Sequence, residues 1–244
     1  MTSDEARRRL AALGLAPPAV DALAAHFEYA DAHGKAWHGL TRVAWLETLD
    51  LDPNARPLLI ESEEGFERWD GHGALGYLVL EEIVRATLAD PPERARVVVA
   101  RRCFPTGVLG YWARRLADGG LVAALTATSP RRLPPPEGGA PLTGTNPLAI
   151  AIPSSDGSPV VADASMGAVT HGAVLAGAAR PEDLVPFGGE QAHKAFALAV
   201  GIELLVSALA GPEHGAVLVV ARPDYDPVPA FRELAAGRRL PGDG

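Results

Sequence analysis

The chain has 244 residues, 48% hydrophobic and 21% charged, enough material for a sizeable buried core. Its formal net charge of −8 argues against nucleic acid as a partner, and its single cysteine, Cys103, excludes an internal disulfide and suits a reducing cytoplasm. The charged first residues lead into no apolar stretch of signal-peptide length, no apolar run reads as membrane-spanning, and no metal site is expected.

Pro17 and Pro18 open a helix that runs to about Ala32, because proline fits a first turn and Val20, Leu23, Ala24 and Phe27 recur on one face. Leu58–Glu61 and Phe66–Trp69 read as short strands joined by a turn at residues 63–65. The glycine-rich loop Gly71–Gly76 precedes a helix carrying Leu78, Ile83 and Leu88. A strand at Val97–Ala100, a helix at Leu109–Leu116 and a strand at Leu121–Thr126 follow, then a loop from Arg131 to Pro141 stiffened by three consecutive prolines. Gly144-Thr-Asn-Pro147 is a turn cluster feeding the branched, apolar strand Leu148–Ile152, which Pro153 stops. Val160–Asp163 is a further strand with a polar end. Gly188 and Gly189 lead into a helix from about Ala192 to Leu209, apolar nearly all round and therefore expected to lie buried centrally. A strand at Ala216–Ala221 and a short helix at Pro229–Ala236 complete the pattern. Interleaved strands and helices, with no linker and no internal repeat, predict one mixed α/β body over residues 1–244.

Four segments carry side chains suited to chemistry. In His38-Gly-Leu-Thr-Arg42 an imidazole and a guanidinium stand close together. Arginine grips a carboxylate in bidentate fashion, and histidine exchanges a proton or a hydrogen bond. In Thr126-Ala-Thr-Ser-Pro-Arg131 the hydroxyls of Thr128 and Ser129 cluster at a strand end. Thr145 and Asn146 sit at the edge of the next strand, and Asp163 ends another, where a carboxylate either caps a turn, orients a histidine or binds a ribose hydroxyl. In Phe187-Gly-Gly-Glu-Gln-Ala-His-Lys-Ala-Phe-Ala-Leu198, glycines entering a helix leave amides free for an anion, and Lys194 adds positive charge beside His193.

In this order the four segments resemble the malate/L-lactate dehydrogenase-like oxidoreductase family, which includes ureidoglycolate, sulfolactate and cyclic-imine reductases. The resemblance runs from about the first helix to the last. It implies a mixed sheet with surrounding helices rather than a doubly wound Rossmann fold. It also implies helical N- and C-terminal parts around a central cofactor-type region at about residues 70–190. Carried over position by position, it assigns catalysis to His38 and Asp163 and substrate binding to Arg42 and His193. It assigns NAD or NADP binding to Thr128, Thr145, Asn146 and Lys194, and it implies a homodimer.

The chain departs from the pattern at Arg101-Arg-Cys-Phe-Pro-Thr-Gly-Val-Leu-Gly-Tyr-Trp-Ala113. Aligning Gly107 and Gly110-Tyr111 with the family's segment sets Pro105 on its proton-exchanging histidine and Phe104 on the asparagine before it. Trp37 stands where serine is usual, Ala127 where asparagine is usual, and Ala195 where glycine follows the lysine. The stretches between His171 and Pro186 and after Leu209 are short against the family. Proline has neither a titratable group nor an N–H. Cys103 reads as a small core residue.

The leading expectation is therefore a nicotinamide-dependent reductase or dehydrogenase of a small 2-keto or 2-hydroxy acid or a cyclic imine carboxylate. His38 would take over proton transfer, with Asp163 to orient it. Two alternatives stay open: a non-redox enzyme on the same scaffold, moving a proton, cyclising or decarboxylating, and a non-catalytic partner subunit.

Overall fold

The computed structural model describes residues 1–243. The helices are α1 (Ser3–Ala12), α2 (Pro17–Ala32), α3 (Arg42–Leu46), α4 (Gly76–Ala89), α5 (Leu109–Asp118), α6 (His171–Leu175), α7 (Ala192–Ala210) and α8 (Val228–Ala235). The strands are β1 (Leu58–Glu63), β2 (Phe66–Asp70), β3 (Ala95–Arg101), β4 (Val122–Ala127), β5 (Leu148–Ile152), β6 (Val160–Ala164) and β7 (Ala216–Ala221). They form one sheet in the order β1-β2-β3-β7-β4-β5-β6, in which only β2 and β3 run parallel. A doubly wound fold needs a run of parallel strands, so this mixed sheet is of another kind, as the motifs implied.

Alternation along the strands divides the core into two layers. Val98 and Ala100 of β3 and Ala216, Leu218 and Val220 of β7 join the larger cluster with α1, α2, α4 and α5. Val99 and Val217 point the other way, to Ala199, Ile202 and Val206 of α7. Trp112 of α5 and Phe27 of α2 are fully buried at the centre of the helical layer.

One helix was not foreseen, and the expectations for another need correction. The N-terminal residues form α1, with Thr2 accepting the Glu5 N–H at 3.2 Å and Asp4 and Glu5 in the positive first turn. Its inward face is only Ala6 and Leu10, too sparse a pattern to read as a helix. α7 is not buried all round. Ala195, Ala199, Ile202, Val206 and Ala210 form one buried stripe against β3, β4 and β7. Leu198, Leu204, Leu205 and Leu209 are exposed. With its leading turn, the segment Gly189–Ala210 is also long and apolar enough to cross a membrane by length and composition, contrary to the reading of the sequence. Here its buried stripe packs on the sheet.

His26 of α2 ties the helical layer to the loop before α5. Its ring Nε2 accepts the Val108 N–H at 3.1 Å, and it stacks on Trp112 at 5.1 Å between centroids. Burial, with smaller repulsions from His38 and Arg115, pushes its imidazole down to about 3. Below its ordinary value of 6.5 the unfolded chain takes up a proton that the native ring refuses. Stability is therefore expected to fall as pH drops from about 6.5 toward 3, by up to about 1.4 kcal/mol per pH unit from this group. His26→Gln, which keeps an acceptor, is expected to flatten that slope in urea midpoints measured at pH 7 and pH 4.5. Identical slopes in the two proteins would contradict it.

Candidate active site

A cavity of about 320 Å3 opens between the end of α2, the β3–α5 loop, the ends of β4 and β6, and α6. Its first wall is the turn from α2 into α3, which is tightly pinned. The Lys35 N–H donates to the Ala30 carbonyl at 2.8 Å, the His38 N–H to Lys35 at 2.8 Å, and the Thr41 hydroxyl to Ala36 at 3.2 Å. The Asp31 carboxylate accepts the Leu40 N–H at 3.0 Å and lies so close to Gly39 that any Cβ there would collide with it. This turn presents Lys35, His38 and Arg42 to the cavity.

Arg42 has its guanidinium 3.9 Å over the Trp45 ring, a cation–π contact. Its Nε is buried without a hydrogen-bond partner, and it makes no ion pair among the described residues. Arg132 also lines the cavity and makes no ion pair among the described residues, and burial followed by the Arg42 charge pulls its guanidinium below its usual range. His38 is pushed down to about 4 by burial first, then by Arg42 and Lys35, against the opposing pull of Asp163. His171 is likewise held at about 4 by burial, Arg132 and Arg42. At neutral pH both imidazoles are therefore uncharged. Asp163 is ion-paired with Lys35 and packs against the first turn of α5 at Gly110. Lys35, Arg42 and Arg132 outweigh this one carboxylate, so the cavity favours anions.

The opposite wall is the β3–α5 loop. Pro105 lines the cavity with Phe104 and Thr106, held from behind by the Val108–His26 bond and by the Trp112 indole N–H on the Thr106 carbonyl at 2.9 Å. Cys103 is buried behind this loop, where burial raises its thiol well above the usual range and leaves it inert.

His38, Arg42, Thr128, Thr145 and Asp163 are thus brought together around one cavity. The other three expected site residues lie outside it. Asn146 is fully buried, with its amide donating to the Ala199 carbonyl at 2.9 Å and to Glu203 at 2.8 Å. Its φ of +30° is in a region that asparagine tolerates better than most residues. It anchors the Gly144–Pro147 turn to α7. His193 and Lys194 are exposed on the first turn of α7 and do not line the cavity, because that helix places its buried stripe at Ala195 and Ala199 instead. The Thr128 hydroxyl accepts the Gly215 N–H at 3.1 Å. Lys35, Arg132 and His171 were not singled out from the sequence: each sits just outside a recognised motif, and only the fold turns it inward.

Asn146→Ala deletes both amide bonds and leaves a strained φ. It is expected to lower stability by about 1–3 kcal/mol, visible as a lower thermal midpoint. An unchanged midpoint would contradict the anchoring role.

The sequence profile of the malate/L-lactate dehydrogenase family matches residues 2–184. A Delta(1)-pyrroline-2-carboxylate/Delta(1)-piperideine-2-carboxylate reductase from Pseudomonas aeruginosa is 30% identical over 74% of this chain and 60% of its own length. A (2R)-3-sulfolactate dehydrogenase (NADP(+)) from Chromohalobacter salexigens is 30% identical over 76% of this chain and 63% of its own. This chain therefore matches less than two thirds of either curated relative. Among solved structures, the delta1-piperideine-2-carboxylate reductase from Pseudomonas syringae pv. tomato superposes with a TM-score of 0.85 at 26% identity, covering 99% of this chain and 89% of that one.

Proposed function

The chain belongs to the malate/L-lactate dehydrogenase family, and from that membership we propose that it is a nicotinamide-dependent oxidoreductase of a small cyclic imine carboxylate or 2-keto/2-hydroxy acid. The observation that carries this reading is the pair of unpaired guanidiniums, Arg42 and Arg132, facing a cavity with one ion-paired carboxylate. A guanidinium whose Nε is buried without a partner is suited to a ligand carboxylate that completes its hydrogen bonds. The relatives named for imine carboxylates and sulfolactate support an acid next to the reacting carbon.

The cavity fits the reactive end of a nicotinamide cofactor, NAD or NADP, beside a small acid. Thr128, Ser129 and Thr145 supply hydroxyls on one side, and Arg42 lies in the first wall. At about 320 Å3 it is near the lower limit for a ligand pocket, so the rest of a dinucleotide lies outside it, where Lys194 is exposed. When bound, the cofactor exchanges a hydride with the substrate. Arg42 holds the carboxylate, Arg132 balances further negative charge, and Trp37, Trp45 and Tyr77 limit water around the reacting carbon. His38, uncharged at neutral pH, offers one ring N–H and one acceptor to the substrate. Pro105 at the position of the family's acid/base favours an imine over a ketone, since a protonated imine already carries the proton that a ketone must acquire.

Residues 1–244 act as one unit, in the cytoplasm. The exposed leucines 198, 204, 205 and 209 of α7 support a homodimer that covers them, as an apolar patch of that kind seldom stays in water. Pro105 also favours one other reading, a non-redox proton shift or decarboxylation in the same cavity.

Titration with NADH and NADPH, followed by tryptophan quenching and nicotinamide emission, separates the two readings. Saturable binding competed by the oxidised cofactor is expected, and no binding at millimolar cofactor would leave only the non-redox reading. Arg42→Leu is expected to raise KM for the acid about 10–100-fold, the size of a lost charged hydrogen bond, with a smaller change in cofactor affinity. An unchanged KM would remove Arg42 from the substrate site.

A further inference from the structure

The Lys35–Asp163 ion pair faces two cavities. On one side is the site described above. On the other is a second cavity of about 520 Å3, between the end of α2, β6 and the C-terminal segment Arg239–Asp243. Only Gly34, Lys35 and Asp163 line both. The side chain of Asp163 is 11% exposed and that of Lys35 35%, and the pair stands between the two cavities, lining each of them. The C-terminal segment closes the back of the second cavity through the Val161 N–H on the Pro241 carbonyl at 2.9 Å.

Resting on the reductase reading, we propose that Lys35 is the proton donor of the reaction, standing in for the family's missing histidine, and that it is recharged with protons through the second cavity. The other groups lining the site are poor donors. Arg42 and Arg132 do not give up protons, and His38 and His171, uncharged at neutral pH, keep only a ring N–H that hydrogen-bonds but is a far weaker acid than an imidazolium. Burial makes the Tyr77 hydroxyl a weaker acid than usual, despite the nearby Arg42 charge. Lys35 presents an ammonium with three N–H donors, fixed by Asp163 at the cavity wall. The charged and titratable groups around it are His38 and Arg42 on its own turn and α3, Tyr29 of α2 and His33 just after it, Asp163 of β6, and Arg239 and Asp243 behind.

The step balances. As hydride reaches the substrate carbon, the C=O or C=N π pair moves to the heteroatom. That atom forms a bond to hydrogen while an Nζ–H bond of Lys35 breaks. Lys35 is left as a neutral amine and regains a proton from water in the second cavity. One proton is taken up per substrate reduced. For an imine the same proton goes onto nitrogen before the hydride arrives.

Lys35→Arg separates an acid from a mere positive charge, because arginine preserves the charge and the partner for Asp163 but does not release a proton. Both Lys35→Arg and Lys35→Ala are expected to keep NADH or NADPH affinity within a few-fold by fluorescence titration and to lose about 10²–10⁴-fold in kcat, the usual share of a general acid. Added methylamine or ethylamine is expected to restore turnover to Lys35→Ala, with rates that follow the acidity of the amine. The 13C signal of the Lys35 side chain, assigned by its absence in Lys35→Arg, is expected to shift when pyrrole-2-carboxylate, a planar imine-carboxylate analogue, binds. Turnover of Lys35→Arg within tenfold of the unmodified protein, no rescue by amines, or an unmoved Lys35 signal with the analogue bound would each overturn the proposal while leaving the reductase reading intact. Failure of the unmodified protein to bind either nicotinamide cofactor would overturn both.

Discussion

Lys35 and Asp163 lie 128 residues apart in the chain, and their ion pair closes the candidate site. One partner stands on the pinned turn after α2, the other at the end of edge strand β6. The pair joins the helical layer to the far side of the sheet, and the cavity is the space left between them. Around it the hydrogen bonds of the Asp31–Thr41 turn fix the spacing of Lys35, His38 and Arg42. His26 and Trp112 fix the loop that faces them. Because both walls are held from behind by buried contacts, the polar groups in front are free for a ligand. A pre-set arrangement of donors is more effective than a flexible one, since ordering it during binding would cost entropy.

The electrostatics follow from that geometry. Three cations and one carboxylate in a confined space drive the two nearby imidazoles to the neutral form, because burial and positive neighbours act in the same direction. The cavity therefore takes its charge from arginine and lysine, not from histidine. Burial and the Arg42 charge together pull the Arg132 guanidinium below its usual range, so an anion between the two would be favoured. Pro105 fits this picture as a wall that shapes the cavity opposite the Lys35 turn.

Much of this was legible in the sequence, for reasons that can be named. Pro17-Pro18 with the Val20–Phe27 stripe marked α2, and the branched run before Pro153 marked β5, because local proline chemistry and periodicity decide both. The His38–Arg42 segment and Asp163 stood out in the sequence as candidates by residue type and place, and the fold brings them to one cavity. Lys35, Arg132 and His171 were not, since nothing local distinguishes them from surface residues. Their inward direction comes from Gly39, the Leu133–Thr143 bridge and the packing of α6 on Trp37. Asn146 was expected from the sequence at the cofactor, but its amide reaches α7, an element 46 residues on, which no local pattern encodes. The exposed leucines of α7 misled because composition cannot tell a core helix from one with an uncovered apolar face.

The most direct measurement is the fate of a label. The protein, supplied with NADH or NADPH deuterated at the transferable position, is given a cyclic imine carboxylate or a 2-keto acid, and the product is read by mass spectrometry and NMR. One deuterium at the carbon bearing the carboxylate, in a single stereochemical sense, is expected. Substrate consumed with no deuterium at that carbon would contradict a hydride-transferring enzyme and assign the cavity to proton chemistry alone.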